Sequence, residues 1–312
     1  EVFALDNPLY VGIDVSATDN KVQFLDASGT ALDKFVVSNN LYGAKTLVQK
    51  VCSRFFFNGC TSLFIGLEAT SIYAENLVYY LKTDSQLCKY KPKIHLLNPK
   101  QVANFKKAYS ELPKNDWVDA WVIADNLRFG RVTKEVWFDE QYISLQKLTR
   151  ARFRLVEDIA REKNRFLNHL FLKFNGMYQE QLFSNTFGVT SQALISEFLS
   201  PDEILNTSID DLAKFLIQKS KNKFEDPEQL AKDIQKAARA SYRLPRTIND
   251  SVNQVLASSY AVIRCLSSQV NSLDKAIEKQ LELIPNTLTS VKGIGPVYCG
   301  GIIAEIGDIE RF

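Results

Sequence analysis

The first 140 residues combine strand and helix patterns in an order that few folds accommodate. Residues 10–16 form an apolar run that ends in Asp and Ser, and residues 21–27 and 32–37 alternate apolar and polar side chains on either side of a Ser-Gly turn. Alternation with a period of two is typical of strands that expose one face. These three segments therefore predict an antiparallel meander.

Helical spacing and short apolar runs alternate after the meander. Helices are predicted over residues 39–57, 71–82, 99–108 and 114–129, and strands over residues 62–67 and 93–97. A meander that continues into strand–helix units predicts a mixed sheet flanked by helices. This order matches the RNase H fold, so we predict an α/β RNase H-like (RuvC-like) domain.

The chain becomes helical after Val136. One long helix is predicted through residues 145–174, and a second has an apolar seam over residues 248–281. The two helices either pack as an antiparallel coiled-coil arm or dimerise with another subunit. Residues 176–245 between them predict a small helical insertion. The seam of the second helix consists of Ile248, Val252, Val255, Ser259, Val262, Leu266, Val270, Leu273, Ile277 and Leu281.

The net charge of +2 does not identify a nucleic-acid binder, but its distribution is informative. Residues 141–175 hold eight basic and three acidic side chains, which is compatible with a phosphate-facing stripe or with a solvated helix face. The five cysteines are scattered and only two histidines are present, which argues against disulfides and zinc. Without an apolar run of about 20 residues or a signal peptide, we expect no membrane association and a cytoplasmic protein.

Four acids predict a metal centre: Asp14, Glu68, Asp116 and Asp119. Asp14 and Glu68 end the first and fourth strands, which are neighbours in this fold. Asp116 and Asp119 are three residues apart and so share a helix face. Carboxylates gathered in one cleft suit Mg²⁺ or Mn²⁺, and two such ions can cleave a phosphodiester. Each acid alone also fits a turn or helix cap, and we regard Asp125 as structural or supporting.

Five motifs extend this interpretation. They are GIDVS with Asp14, GLEATSIY with Glu68, LLNPKQVANFKKA, the ND-x-x-DA unit with Asp116 and Asp119, and the terminal GIGPVYCGGIIAEIGDIERF. Together they resemble the DEDD transposases of bacterial insertion sequences, specifically the insertion-sequence one-ten family. The resemblance implies a RuvC-like metal-binding domain at residues 1–138, a coiled-coil arm at 139–285 and the beginning of a transposase domain at 286–312. It also implies that the four acids are catalytic ligands of divalent metal, with two ions expected.

The same resemblance implies partners and a second catalytic group. It predicts donor and target DNA, a structured bridge RNA that guides the protein, and a homodimer or tetramer. It also implies a bacterial protein that is nucleoid-associated when bound to DNA. The family places a serine nucleophile beyond the GIGP…AEIGD…RF segment, and neither Ser267 nor Ser290 matches its motif. We therefore expect that serine to lie beyond Phe312 and this chain to lack it.

Several residues are candidates for nucleic-acid contacts. Gly293 and Gly295 resemble the glycine hairpin of a helix-hairpin-helix element, although a loop between packed helices is equally compatible. The basic candidates are Lys106, Lys107, Lys114, Arg128, Arg131, Arg150, Arg154, Arg161 and Arg165. Base stacking or core packing is open to Tyr109, Trp117, Trp121 and Trp137, and their helical spacing favours the core.

Two other functions remain compatible with the sequence. A RuvC-like Holliday-junction nuclease would use the same acids and cut branched DNA without RNA. A non-catalytic nucleic-acid scaffold would use the basic residues alone. The long predicted arm favours the transposase, because a junction nuclease needs little beyond the sheet domain.

Overall fold

The computed structural model of the protein describes residues 6–69, 72–109, 117–130, 135–136, 139–221 and 223–309. The chain divides into two compact units, Glu1–Asp139 and Glu140–Phe312. We call them the sheet unit and the helical unit. Each has its own hydrophobic core.

The sheet unit is built on five strands in the order β3-β2-β1-β4-β5. The strands are β1 (Pro8–Val15), β2 (Asp19–Leu25), β3 (Ala31–Ser38), β4 (Ser62–Glu68) and β5 (Lys93–Leu97). β2 pairs antiparallel with both β1 and β3, whereas β4 pairs parallel with β1 and β5. This is the strand order of the RNase H fold, so the predicted fold class is confirmed.

Four helices cover the sheet: α1 (Leu41–Phe57), α2 (Glu75–Thr83), α3 (Pro99–Lys106) and α4 (Val118–Arg128). The side chain of Asn40 caps α1 by accepting a hydrogen bond from the backbone of Gly43. Asn98 caps α3 in the same way, and Pro99 occupies the first helical position, where no backbone donor is needed. A 3-10 turn, Ile72–Ala74, precedes α2, so the α-helix begins later than the spacing predicts.

Alternate residues of the central strands face opposite layers of helix. Val11, Ile13 and Ile65 join the core formed with α1 and α2. Gly12 and Gly66 face α4 instead. A Cβ at Gly12 would lie 2.0 Å from the carbonyl oxygen of Ala120, so only glycine lets the backbone of α4 approach β1 this closely. The close approach places the first turn of α4 over the carboxyl end of β1.

The helical unit contains α5 (Glu140–Glu180), α6 (Val189–Glu197), α7 (Pro201–Leu205), α8 (Ile209–Ser220), α9 (Pro227–Ala240), α10 (Arg246–Leu281) and α11 (Pro296–Ile306). The predicted long helical region is confirmed. α5 and α10 run antiparallel: Leu145 shares a core with Ile277 near one end, and Glu162 accepts a hydrogen bond from the Ser259 hydroxyl at 2.6 Å further along. The helical path of α5 is interrupted at Phe174, where φ is −149° and ψ is 68°.

The predicted seam of α10 is partly wrong. Val255 and Val262 are 41% and 45% exposed, whereas Leu256 and Ile263 are buried in the core of the helical unit. Ile248, in the first turn of α10, is also exposed, at 50%. The errors at Val255 and Val262 fall where two apolar residues are adjacent in sequence. A one-residue change rotates a side chain by about 100° around a helix with 3.6 residues per turn, and periodicity does not decide between the two neighbours.

None of the helices in the described part of the chain combines the length and the apolar character needed to cross a bilayer.

Candidate metal centre

Asp14 and Glu68 lie side by side at the carboxyl ends of β1 and β4. These strands are parallel neighbours and pair Ile13 with Leu67, so the acid that follows in each strand occupies the adjacent position. Both acids are half-buried. Each lies two residues after a glycine that faces α4, and therefore on the same face of the sheet. The structure thus brings together the two acids that the sequence placed on separate strands.

Asp119 joins this edge from the first turn of α4. It directly precedes Ala120, whose carbonyl lies over Gly12. Burial raises the pKa of Asp14, and the negative charge of Asp119 raises it further. Two carboxylates that influence each other in this way repel unless a cation lies between or beside them.

A lysine supplies positive charge at this edge. Lys106, the last residue of α3, donates a hydrogen bond from Nζ to Oδ1 of Asp119 at 2.6 Å. Its charge also lowers the pKa of Asp14, which places it near both acids. Lys106 therefore lies beside Asp119, and its contact with nucleic acid stays a prediction.

The oxygen donors of this edge have the chemistry that hard divalent cations prefer. The arrangement of the described residues is incomplete, because no three of their His, Cys, Asp or Glu side chains are grouped closely enough to hold a metal ion. Asp116, the fourth predicted ligand, lies outside the described residues, as do Lys114 and Arg131. Asp14, Glu68 and Asp119 therefore have the donor chemistry of a Mg²⁺ or Mn²⁺ site, but they do not form a ligand set by themselves.

Asp125 has a structural environment in the middle of the same helix. Its side chain is 2% exposed, and Oδ1 accepts a hydrogen bond from Nε of Arg128 at 2.7 Å. The hydroxyl of Tyr109 donates to Oδ2. Burial and this hydrogen bond raise the pKa of Tyr109 to about 12. Asp125 thus links two segments of the sheet unit, and Arg128, a predicted nucleic-acid contact, is its ion-pair partner.

The aromatic candidates pack mainly against neighbouring side chains. Tyr109 makes edge-to-face contacts with Trp121 at 5.2 Å and with Phe105 at 5.5 Å between ring centroids. Lys34 lies over the ring of Trp117, with Nζ 5.5 Å from its centroid. For Tyr109 and Trp121 these contacts agree with core packing. Trp137 lies outside the described residues.

Three of the four basic candidates on α5 are ion-paired. Arg150 donates two hydrogen bonds of 2.8 Å to Glu305 on α11. Arg161 pairs with Asp158 at 2.6 Å, and Arg165 pairs with Glu162 at 2.9 Å, each one helical turn away. Exposed pairs of this kind contribute at most about 1 kcal/mol, so they do not prevent an arginine from binding phosphate. Arg154 and, in the sheet unit, Lys107 are exposed.

The glycine turn before α11 depends on one of its two predicted glycines. Gly293 has φ of 94°, a left-handed conformation that favours glycine. Gly295 has φ of −76° and ψ of 169°, which any residue adopts, and it precedes Pro296 at the start of α11. The conformation that favours glycine in this turn therefore lies at Gly293, and contact of Gly293 and Gly295 with nucleic acid stays a prediction. Cys299 of α11 packs in a core that it shares with Leu145 and Ile277.

Comparison with known proteins identifies one family. The model of the DEDD transposases of the insertion-sequence one-ten (IS110) type, described as "Transposase", matches residues 11–175, which is more than half of the chain and contains all four predicted acids. No curated protein matches the chain.

Two solved structures resemble part of the chain. Thermus thermophilus RuvC in complex with a Holliday junction substrate is 14% identical, and the likeness covers 41% of this chain and 99% of that one with a TM-score of 0.30. A second Thermus thermophilus RuvC structure is 13% identical, with the same coverage and TM-score. At this TM-score neither likeness supports a conclusion about function.

Proposed function

The chain belongs to the DEDD transposases of the insertion-sequence one-ten family, and from this membership we propose that it cuts and rejoins DNA at the carboxyl edge of its sheet under the guidance of a structured RNA. The observation that supports the site most directly is the convergence of Asp14, Glu68 and Asp119. Two of them come from paired parallel strands and the third from the helix that crosses those strands. The pKa of Asp14 is raised by burial and by the charge of Asp119, which is the kind of perturbation expected where acids share a cation.

In this proposal Asp14, Glu68, Asp116 and Asp119 hold two Mg²⁺ or Mn²⁺ ions. Bound ions of this kind activate the attacking oxygen and stabilise the leaving oxygen of a phosphodiester. Asp119 becomes available as a ligand when Lys106 moves off its carboxylate. The released ammonium then lies beside the acids and pairs with the phosphate that enters. Lys106 thus neutralises Asp119 before the metal binds and contacts the substrate afterwards.

The finer features of the proposal rest on the motif resemblance. They are donor and target DNA, a bridge RNA, a homodimeric or tetrameric assembly, and a serine nucleophile beyond Phe312. Within the described residues, Arg154 and Lys107 are exposed for backbone contacts. The further proposed contacts are Lys114, Arg128, Arg131, Arg150, Arg161, Arg165 and the glycine turn at Gly293.

Metal binding is tested by thermal unfolding of the purified chain with EDTA, Mg²⁺ or Mn²⁺. We expect either metal to raise the Tm of the wild type and to leave Asp14→Asn unchanged, because a ligand that binds only the folded state stabilises it. In EDTA, Asp14→Asn should be the more stable protein, because it removes a half-buried charge that faces Asp119. Asp33→Asn, on the edge strand β3, is the matched control and should keep the full metal response. An equal metal response in Asp14→Asn removes the metal assignment.

Activity is tested with the natural full-length protein, its RNA and matching DNAs in Mg²⁺. We expect Asp14→Ala and Glu68→Ala to lower recombination at least about a hundredfold, because several kcal/mol of transition-state stabilisation depends on the metals. Retained recombination in either variant contradicts the site. Cleavage of a four-way junction without RNA would favour the junction nuclease, and binding without any reaction would favour the scaffold.

A further inference from the structure

A cavity of about 370 Å³ opens beyond the carboxyl ends of β1 and β4, on the side of the sheet that α1 and α2 cover. It lies between the turn after β1 and the first turns of α1 and α2. Its lining includes Ala17, Asn40, Leu41, Tyr73, Asn76 and Tyr80. We call it the edge cavity.

Residues that line the edge cavity follow closely in sequence after Asp14 and Glu68. Ala17 lies three residues after Asp14, and Tyr73 lies five residues after Glu68. The side-chain amide of Asn39 donates hydrogen bonds to the carbonyl of Ser16 at 2.8 Å and to that of Tyr73 at 3.2 Å. This amide joins the segment after β1 to the segment after β4. The segments that continue from the two acid-bearing strands therefore form part of the cavity wall.

Apolar surface remains exposed around the cavity. Ile72 is 69% exposed, Leu41 is 54% exposed and Tyr73 is 49% exposed, and all three line it. A concave surface with several exposed apolar side chains is typical of a binding site. No Lys, Arg, Asp or Glu is among the described residues that line the cavity, so the lining suits a neutral group better than a phosphate.

The polar groups of the lining are amides. The side-chain oxygen of Asn40 accepts the capping hydrogen bond from Gly43 at 3.0 Å, which leaves its amide hydrogens available. The side chain of Asn76 is exposed and makes no hydrogen bond to any residue that the structure describes. A tyrosine face beside free amide groups is the combination that binds nucleobases: the ring stacks on the base and the amides pair with its edge.

We propose that the edge cavity binds an unpaired nucleobase of the DNA strand whose phosphate lies at Asp14 and Glu68. This inference rests on the proposed function, because that function brings a DNA strand to the acids. Stacking on Tyr73 would hold the nucleotide that flanks the scissile phosphate and so fix the position of the cut. An aromatic platform accepts any base, and the amides of Asn40 and Asn76 would add the base preference.

The first test measures binding of the whole chain to fluorescein-labelled twelve-nucleotide oligothymidine in EDTA. We expect Tyr73→Ala to weaken binding at least about fivefold, because stacking of a single base contributes this much or more. Tyr73→Phe should retain it. Tyr42→Ala is the matched control: Tyr42 is 80% exposed on α1 outside the cavity lining and should stay within about twofold of wild type by the same measure. The dependence on salt should not change in Tyr73→Ala, because loss of stacking releases no counterions.

The second test identifies the contact directly. An oligothymidine with 5-iodouracil at each position in turn is crosslinked by light, and the attached peptide is identified by mass spectrometry. We expect the attachment at Tyr73 or Tyr80. Equal affinities of Tyr73→Ala and Tyr42→Ala, or crosslinks confined to other segments, overturn the proposal. A stronger dependence on Tyr73 for oligouridine than for oligothymidine overturns the assignment to DNA.

Failure of this inference is distinguishable from failure of the proposed function. The oligothymidine tests require neither metal nor strand cutting. If Asp14→Asn loses its metal response while Tyr73→Ala binds like wild type, the metal site stands and the cavity has another role. Far-UV circular dichroism of each variant checks that its fold is unchanged.

Discussion

The sheet unit and the helical unit fix their important side chains by different forces. In the sheet unit, backbone hydrogen bonds pair Ile13 with Leu67, and the acids that follow them become neighbours whatever their side chains prefer. In the helical unit, α5 and α10 meet through side chains such as Leu145 and Ile277. Nothing in their backbones sets the rotation of one helix against the other. Chemistry at strand ends is therefore more readily located from sequence than chemistry on a helix surface.

The largest loss of stability should come from a substitution that prevents the close approach of α4 to β1. A side chain at Gly12 would meet backbone atoms, with Cβ 2.0 Å from the oxygen of Ala120 and 2.5 Å from the nitrogen of Ala124. Neither atom can move without displacing the helix. We expect Gly12→Val to destabilise the sheet unit by more than about 3 kcal/mol, above the usual range for overpacking.

Tryptophan fluorescence isolates this effect, because all three tryptophans lie between residues 117 and 137 in the sheet unit. Gly301→Ala is the control in the helical unit. No described atom lies within 4 Å of a Cβ built at Gly301, and α11 should gain up to about 1 kcal/mol from the better helix former. A wild-type fluorescence midpoint in urea for Gly12→Val would show that α4 does not rest on β1 at this glycine.

A smaller effect distinguishes the two possible phases of α10. Leu256 is 3% exposed, whereas its neighbour Val255 is 41% exposed. We expect Leu256→Ala to cost about 3 kcal/mol, because it leaves a cavity in the core. Val255→Ala should cost less than about 1 kcal/mol, because much of that side chain already contacts water. Urea unfolding followed by circular dichroism compares the two. Equal losses would restore the seam that the sequence predicts.

These contrasts define how much the sequence could reveal. Strand order and the ends of β1 and β4 were predictable, because alternation and apolar runs mark strands and parallel pairing brings their ends together. The phase of α10 was not, because the apolar pairs at 255–256 and 262–263 satisfy two seams equally well. The roles of the four acids remain a prediction.

Contacts between side chains from separate segments could not be predicted from the sequence. Tyr109 lies sixteen residues before Asp125, and no local sequence pattern predicts the hydrogen bond between them. The pairing of Lys106 with Asp119 depends on how α3 meets α4. The edge cavity arises from three loops that are remote in sequence, and its tyrosine lies in a 3-10 turn that the helical spacing did not predict. Such features depend on the final packing, which periodicity does not encode.

The last expected difference concerns how each unit holds a buried charge. In the sheet unit, Asp125 has an ion-pair partner in Arg128. In the helical unit, Lys173 is 3% exposed and donates a hydrogen bond to the carbonyl of Ile195, a neutral acceptor. Burial lowers the pKa of Lys173 to about 8, only partly opposed by the charge of Glu203. The buried environment of Lys173 in the helical unit thus disfavours the charged form of its side chain.

The pH dependence of stability should reveal this lysine. Between about pH 8 and the ordinary lysine pKa of 10.5, the unfolded chain binds more protons at this side chain than the folded chain does, so its contribution to folding stability rises with pH. From pH 7 to pH 9.5 we expect the wild type to gain about 2 kcal/mol relative to Lys173→Met, at about 1.4 kcal/mol for each tenfold change in the protonation equilibrium. Urea unfolding monitored by circular dichroism at both pH values measures the gain, and Lys214→Met, an exposed lysine of α8, is the control. If the wild type and Lys173→Met change in parallel with pH, the buried ammonium is stabilised by groups other than the Ile195 carbonyl, and the contrast with Asp125 fails.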